Sequence, residues 1–527
     1  MGYPNTGYIS IFYLYKIFSF LKLYRNARRA KFPIYATPIL SKSVLWLVLS
    51  SAFQPQLEHY LPTWIYERCE ISIHGWEFRS KRRYHDRLGN IFSLVTPDEW
   101  TLMVADPAAC NVVLQRRSDF IIPPFTAKIL KFLGPNIFTV LFGNFYFLVG
   151  IESCQQASCM IQYMLQYPGN ESVDGLRSIA VNVIGQAGYH QKRPWSPGLK
   201  KDIMKTGTTG RNLYVGTLYM ITYMFLEATT LPTKLLKLPF MPPEHQSLGY
   251  HLERMHGYAK QVLEEERQAG SHGSGPRHNF LSLLLQLSDQ EKRNGDEFSL
   301  TDQEISGNLF LFSAAGFETT ANTMIFAVIL LAAYPEWQEW IREELQCLDP
   351  DVSSWEYERV FPKCRRTLAL MMEDLRHFPP LLHASRGIAS PQTIISMGET
   401  HHLAPPMDVF VCQVSVHMDP ATWGPDVHAF RPTRFLDDDG QIGTYLPWSG
   451  GPRVCPGLKM SQVEFVGTIA TLFRKARREP VSIDGLYKIE YLKERLLRSV
   501  WGAISRLTLQ VRDAREVHLR WIGDHGG

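Results

Sequence analysis

Three short stretches of this chain carry residues able to do chemistry. The first is LPWSGGPRVCPGLKMSQVEF, residues 446–465, which sets Cys455 among Gly450, Gly451, Pro452, Arg453, Pro456 and Gly457 just ahead of a helix-like run. Glycine and proline at this density make a turn, and taken alone the stretch says no more than that. The second is Ala315-Gly316-Phe317-Glu318-Thr319-Thr320, a polar notch inside a long apolar run. A buried glutamate is costly unless it is paired or working. The two threonines beside it can donate to carbonyls of the preceding turn, and Gly316 leaves room for something to approach the backbone. The third is MMEDLRHFPPLL, residues 371–382, where Glu373 and Arg376 share one helical face. Glu-x-x-Arg is usually a solvated pair. Here Leu368, Leu370, Met371, Met372, Leu375, Phe378, Pro379 and Pro380 crowd it, so the charges must satisfy each other or a third group. Arg434, in FRPTRF (430–435), is the candidate third member.

The elements that must position these groups follow from periodicity and punctuation. TDQEISGNLFLFSAAGFETTANTMIFAVILLAAYP, residues 301–335, predicts one long buried helix. Thr301 and Glu304 form its capping box and Pro335 marks its end. Glu318, Thr319, Thr320 and the polar first turn argue against a transmembrane span. Residues 70–105 hold short strand-like stretches, NIFSLVTP and WTLMVAD, that predict a small sheet. Residues 110–345 read as mainly helical with a surface loop at 268–279, and helices continue to about residue 380. A strand-and-loop region then runs to residue 455, and another helix starts after Pro456-Gly457. The expected class is mainly α, an α+β arrangement with small sheets in one large unit.

Composition narrows the function. Of 527 residues, 45% are hydrophobic and 20% charged, which is globular. The formal charge of +4 is too balanced to suggest nucleic acid as a partner. Eight cysteines without a CxxC pair do not make a disulfide framework, and neither they nor His401-His402 have zinc spacing. Asn170-Glu171-Ser172 matches a glycosylation tripeptide that is common by chance. YISIFYLYKIFSFLKLY, residues 8–24, is apolar and aromatic, broken by Lys16 and Lys22 and followed by Arg25, Arg28, Arg29 and Lys31. It is short for a span of ~20 apolar residues. A membrane anchor, a cleaved signal and an ordinary buried helix compete, and the anchor is favoured. Residues 1–40 are therefore expected to be anchor and basic linker, with 41–527 as the catalytic domain.

Together these stretches resemble the cytochrome P450 family, in its membrane-bound eukaryotic and especially fungal branch. The haem-ligand pattern Phe-x-x-Gly-x-Arg-x-Cys-x-Gly is met by residues 448–457, with Trp448 in the Phe position. Residues 315–320 meet the oxygen-binding helix pattern in full. Glu373 and Arg376 match the family's Glu-x-x-Arg, and residues 417–435 are similar to the stretch that supplies its arginine partner, with Thr433 where Glu is usual. The resemblance implies that Cys455 is the thiolate ligand of haem b. Arg453, Trp448, Gly451, Gly457, Ala315 and Gly316 would surround the haem, and Glu373, Arg376 and Arg434 would form a structural clamp. Thr319 with Glu318 would relay protons. Phe312, Ala315 and residues 121–132 would help to wall the pocket. It further implies O2, a hydrophobic small-molecule substrate, electrons from NADPH through a separate cytochrome P450 reductase, and an endoplasmic reticulum membrane with the catalytic domain facing the cytosol. Fungal relatives often serve secondary metabolism.

One expected feature is missing. The family carries Trp-x-x-x-Arg on a helix soon after the segment that here reads GPNIFTV, residues 134–140. No Trp occurs between Trp100 and Trp195, and no Arg between Arg117 and Arg177. A gene-model artefact and a divergent variant both account for this. The alternatives to a monooxygenase are a haem-dependent rearrangement enzyme of the same fold, which the Glu318-Thr319 pair argues against, and a haem-poor, inactive protein.

Overall fold

The computed structural model describes residues 5–124, 126–127, 145–167, 172–198, 210–271, 279–294, 299–396, 398–436, 443–481, 489–514 and 517–523. Two compact units emerge. The first is Met1–Ile129, Leu381–Ala429 and Gln441–Cys455; the second is Leu130–Pro380, Phe430–Gly440 and Pro456–Gly527.

The first unit is built on a six-stranded sheet. Its strands are β1 (Ile34–Ala36), β2 (Ile91–Val95), β3 (Trp100–Val104), β4 (Phe120–Ile121), β5 (Ala384–Ile388) and β8 (Asp408–Val411), in the order β1-β2-β3-β8-β5-β4. The expected strands NIFSLVTP and WTLMVAD are β2 and β3, paired antiparallel with Ser93 opposite Leu102. Within 70–105 the strands begin only at Ile91, because residues 63–70, 76–80 and 83–88 are short helices, while β1 joins the sheet from further upstream. Both faces of β2 and β3 are covered, and every residue of these two strands is buried, Ser93 and Thr101 included. Ile91, Val95, Leu102, Val104 and Val409 fill one side, and Phe92, Leu94 and Met103 fill the other with Tyr35, Trp76 and Tyr84. β6 (Gln392–Ser396) and β7 (Glu399–Leu403) form a separate hairpin.

The N-terminal run is a helix, Asn5–Arg29. Its second half lies on the core of this unit, where Leu23 and Ala27 are buried along with Ala30 just beyond the helix, and Lys16 pairs with Asp98. Its first half leaves Ile11, Leu14, Tyr15, Ile17 and Phe18 exposed.

The second unit is helical, with two two-stranded sheets: β9 (Ala476–Pro480) with β12 (Leu519–Gly523), and β10 (Ile504–Ser505) with β11 (Leu509–Gln510). The long helix runs Asp302–Ala333, about 48 Å at 1.5 Å per residue. Its capping box is present as expected: Glu304 N donates to Thr301 Oγ1 at 3.2 Å, and Thr301 N to Glu304 Oε2 at 2.8 Å. Pro335 opens the next helix. Among the described residues this is the one helix long and apolar enough to cross a membrane, but 83% of its most apolar window is buried within the protein. It is packed by the helices Ser172–Tyr189 and Leu458–Lys475, among others.

Candidate functional site

In the first unit, Cys455 closes a tight loop. Its amide donates to Trp448 O at 2.9 Å, and Val454 N donates to Gly451 O at 3.1 Å. The loop is tethered from behind. Gln413 Nε2 donates to Leu446 O at 2.7 Å, Leu446 N donates to His417 Nε2 at 2.9 Å, and Tyr445 lies between His417 and Trp448. Gly451 has φ +65°, and a Cβ there would lie 2.3 Å from the Leu114 carbonyl oxygen, so any side chain at 451 forces the loop away. Cys455 is exposed, whereas Cys110, Cys364 and Cys412 are buried. The loop thus presents one sulfur on a fixed frame. Gly451→Ala is expected to cost at least about 2 kcal/mol, from the left-handed backbone and the clash together; thermal melts of the purified protein check this.

Positive charge gathers behind this loop. Arg453 Nη1 donates to Phe120 O at 2.8 Å. Arg386, on β5, donates to Ser385 O at 2.9 Å and reaches Ser449 Oγ at 3.5 Å. Burial and the neighbouring Arg453 charge bring Arg386 down to about 10. Burial and Arg117 lower Arg453 in turn. Among the described residues neither Arg386 nor Arg453 has a carboxylate partner. Guanidiniums held together without counter-charge favour an anionic ligand. Sequence reasoning named Arg453 and missed Arg386. The only cue was an arginine in an otherwise apolar strand, ASRGI.

In the second unit, the long helix is buried beyond its first turn, but Leu311, Phe312, Ala315, Gly316 and Thr319 keep exposure. The spacing 312, 315, 316, 319 is one helical face, so the notch opens on a single side. Thr319, Thr320 and Thr323 each donate to the carbonyl four residues back, at 2.7, 3.1 and 2.9 Å. The helix nevertheless continues unbroken through them. The close neighbour at Gly316 is a side chain of the protein itself: an added Cβ would meet Ile184 Cδ1 at 3.0 Å. Glu318 is buried, and its Oε1 accepts from Asn322 Nδ2 at 3.0 Å and Gln510 Nε2 at 2.8 Å.

The same unit holds the ion-pair clamp. Arg376 grips Glu373 with two bonds, Nε to Oε2 at 2.7 Å and Nη2 to Oε1 at 2.8 Å, both side chains fully buried. Arg434 Nε stands 3.7 Å from Oε2. Two further partners were not legible in the sequence: His377 Nε2 at 3.3 Å and the Arg431 amide at 2.8 Å, both on Oε1. Burial alone would raise the Glu373 carboxyl; the bonds and charges of Arg376 and His377 outweigh it and hold it at about 2. The next residue behaves oppositely, since burial and the Glu373 charge push Asp374 well up. Gly457 is the residue ahead of the helix Leu458–Lys475, and its carbonyl accepts from Ser461 N at 2.8 Å.

The family model for cytochrome P450 matches residues 214–494, just over half of the chain. The chain belongs to the cytochrome P450 family. This P450 is 29% identical over 572 aligned positions, 94% of its chain and 96% of the relative, to the phomenoic acid biosynthesis cluster cytochrome P450 monooxygenase of Leptosphaeria maculans. It is 25% identical to cytochrome P450 monooxygenase ORF6 of Penicillium roqueforti, covering 89% of each chain. Its fold matches a crystal structure of a cytochrome P450 with a TM-score of 0.61, covering 85% of this chain and 94% of that one at 18% identity.

The family match begins downstream of the region that lacks Trp-x-x-x-Arg. The alignment to the Leptosphaeria relative has more positions than this P450 has residues, so that relative contributes segments with no counterpart here. GPNIFTV and residues 141–144 lie outside the described residues, as does much of 121–132. The described part of the altered region is the helix Phe145–Gln166, which contains neither Trp nor Arg.

Proposed function

We propose that this protein is a haem-thiolate monooxygenase that oxidises a hydrophobic small molecule in fungal secondary metabolism. One observation carries the reading: an exposed Cys455 on a loop that Gly451 locks against a backbone carbonyl, with uncompensated guanidiniums beside it. A haem b bound there would supply the activation of O2. Cys455 would give its iron a thiolate ligand, which pushes electron density towards O–O cleavage. Arg453 and Arg386 would take the propionates, a fit supported by their having no carboxylate partner among the described residues. Trp448 would shield the sulfur. By the family resemblance, the accessible face Phe312, Ala315, Gly316 and Thr319 would receive an apolar substrate. Thr319, with Glu318 beside it, would hand protons onward.

Electrons would come from NADPH-cytochrome P450 reductase. Residues 1–40 would attach the protein to the endoplasmic reticulum membrane with the catalytic domain in the cytosol. The exposed apolar side chains of the helix Asn5–Arg29, followed by Arg25, Arg28 and Arg29, support that placement.

The test is a carbon monoxide difference spectrum of the reduced, purified protein. A strongly red-shifted Soret band is expected; its absence overturns the reading. The absence of Trp and Arg from Phe145–Gln166 favours a second outcome, a protein that holds haem weakly, seen as a band that fades on dilution. Arg386→Ala is expected to speed haem loss by roughly tenfold or more, the worth of one charge-assisted hydrogen bond. Haem transfer to an apo-globin acceptor measures it.

A further inference from the structure

The family motif explains why a carboxylate precedes Thr319, but not how this chain holds it. Glu318 is 3% exposed. Both of its hydrogen bonds fall on one oxygen. Asn322 Nδ2 at 3.0 Å and Gln510 Nε2 at 2.8 Å reach Oε1, and among the described residues Oε2 accepts none. The two donors come from different parts of the second unit. Asn322 lies one turn along the same helix, whereas Gln510 arrives on β11.

The Asn322 amide is itself oriented. Asn322 Nδ2 also donates to Thr508 Oγ1 at 2.8 Å, and its Oδ1 accepts from Arg177 Nη2 at 3.4 Å. That pattern fixes which end of the Asn322 amide faces the carboxylate. Arg177 comes from the helix Ser172–Tyr189 and is 8% exposed. Burial works against its charge, but Glu318, Tyr219 and Asp174 outweigh burial and keep it firmly cationic. Tyr219, on the helix Gly210–Tyr223, bonds Arg177 and also acts on Glu318; burial raises its phenol. The titratable groups acting on Glu318 are thus Arg177 and Tyr219, with Asp174 behind them and neutral Thr508 and Gln510 facing from the C-terminal strands.

We propose that Asn322 and Gln510 are positioning residues that grip Glu318 by Oε1 alone, leaving Oε2 as the single atom through which the carboxylate takes up a proton and passes it on in the relay with Thr319. The inference rests on the monooxygenase reading. Two amide donors favour the carboxylate form, and they make Oε2 the one oxygen at which a proton displaces no hydrogen bond. One proton enters at Oε2 and the same proton leaves, so the carboxylate is regenerated. Arg177 stands beside the carboxylate as the nearby positive charge.

The test compares wild type, Glu318→Gln, Asn322→Leu, Gln510→Met and the double variant Asn322→Leu/Gln510→Met. Infrared spectra at neutral pH are expected to show no protonated-carboxyl band from Glu318 in wild type. In the double variant such a band should appear and should vanish when Glu318 is also replaced by Gln. In turnover, Gln510→Met and Asn322→Leu should each lower the ratio of oxidised product to hydrogen peroxide at least fivefold, with the carbon monoxide band unchanged. An unchanged ratio together with no new carboxyl band overturns the clamp. If wild type shows no carbon monoxide band, the monooxygenase reading fails, and the infrared comparison still decides the clamp. If the double variant does not fold, the single variants carry the same two readouts.

Discussion

Cys455→Ser is expected to abolish the red-shifted carbon monoxide band and all reductase-supported turnover while leaving the fold in place. Serine is close to cysteine in size, and the loop bonds at Cys455 run through backbone atoms, N to Trp448 O at 2.9 Å. A serine hydroxyl does not ionise near neutral pH, so it supplies no anionic, polarisable ligand. The loss should be complete within detection for turnover, with the melting temperature of the haem-free protein shifted by no more than a few degrees. Other exposed thiols, Cys159 and Cys347, sit on helical surfaces without such a frame, and replacing either should leave the band intact. A band that survives Cys455→Ser refutes the assignment of the ligand.

Arg376→Ala should be the most destabilising single change in the second unit, by about 3–5 kcal/mol, because it strands a buried carboxylate. Glu373 would keep the Arg431 amide and His377, but lose both guanidinium bonds. The acid dependence has a definite sign. Glu373 is depressed from 4.5 to about 2 in the folded protein. Its contribution is therefore fully present above about pH 4.5 and is lost as pH falls towards about 2. A displacement of that size is worth roughly 3 kcal/mol. Asp374 works the other way, since a carboxyl pushed up by burial is better tolerated as pH falls. The comparison must accordingly be differential. Wild type should lose more stability than Glu373→Gln between pH 5 and about pH 3 in denaturant titrations. Equal losses would show that the clamp carboxylate titrates normally.

The sequence made the local structure legible wherever neighbours along the chain decide it. Thr301 and Glu304 announce the capping box, because both partners lie within one turn. Glu373 and Arg376 meet because three residues on a helix bring them to one face. The alternation at 91–104 yields β2 and β3, although the short helices at 63–88 escaped notice. Their apolar residues are too few per segment for a helical period to stand out.

Groups joined only by the fold were not legible. Arg386 lies 67 residues ahead of Arg453, and only the sheet brings β5 behind the cysteine loop. His377 and the Arg431 amide complete the Glu373 clamp through contacts that no spacing rule contains. At Gly316 the fold adds a neighbour that spacing does not show: a Cβ there would meet Ile184 Cδ1 at 3.0 Å.

By itself the sequence determined the chemistry on offer: one cysteine in a rigid turn, an acid and an alcohol in an apolar helix, and a charge pair too crowded to be solvated. Those follow from residue type and spacing, which act over a few bonds. The tertiary structure decided which oxygen of Glu318 is held, which arginines share the site behind Cys455, and why Gly451 admits no side chain. Each depends on segments distant in sequence meeting within a few ångströms, and hydrogen bonds and packing act only at that range.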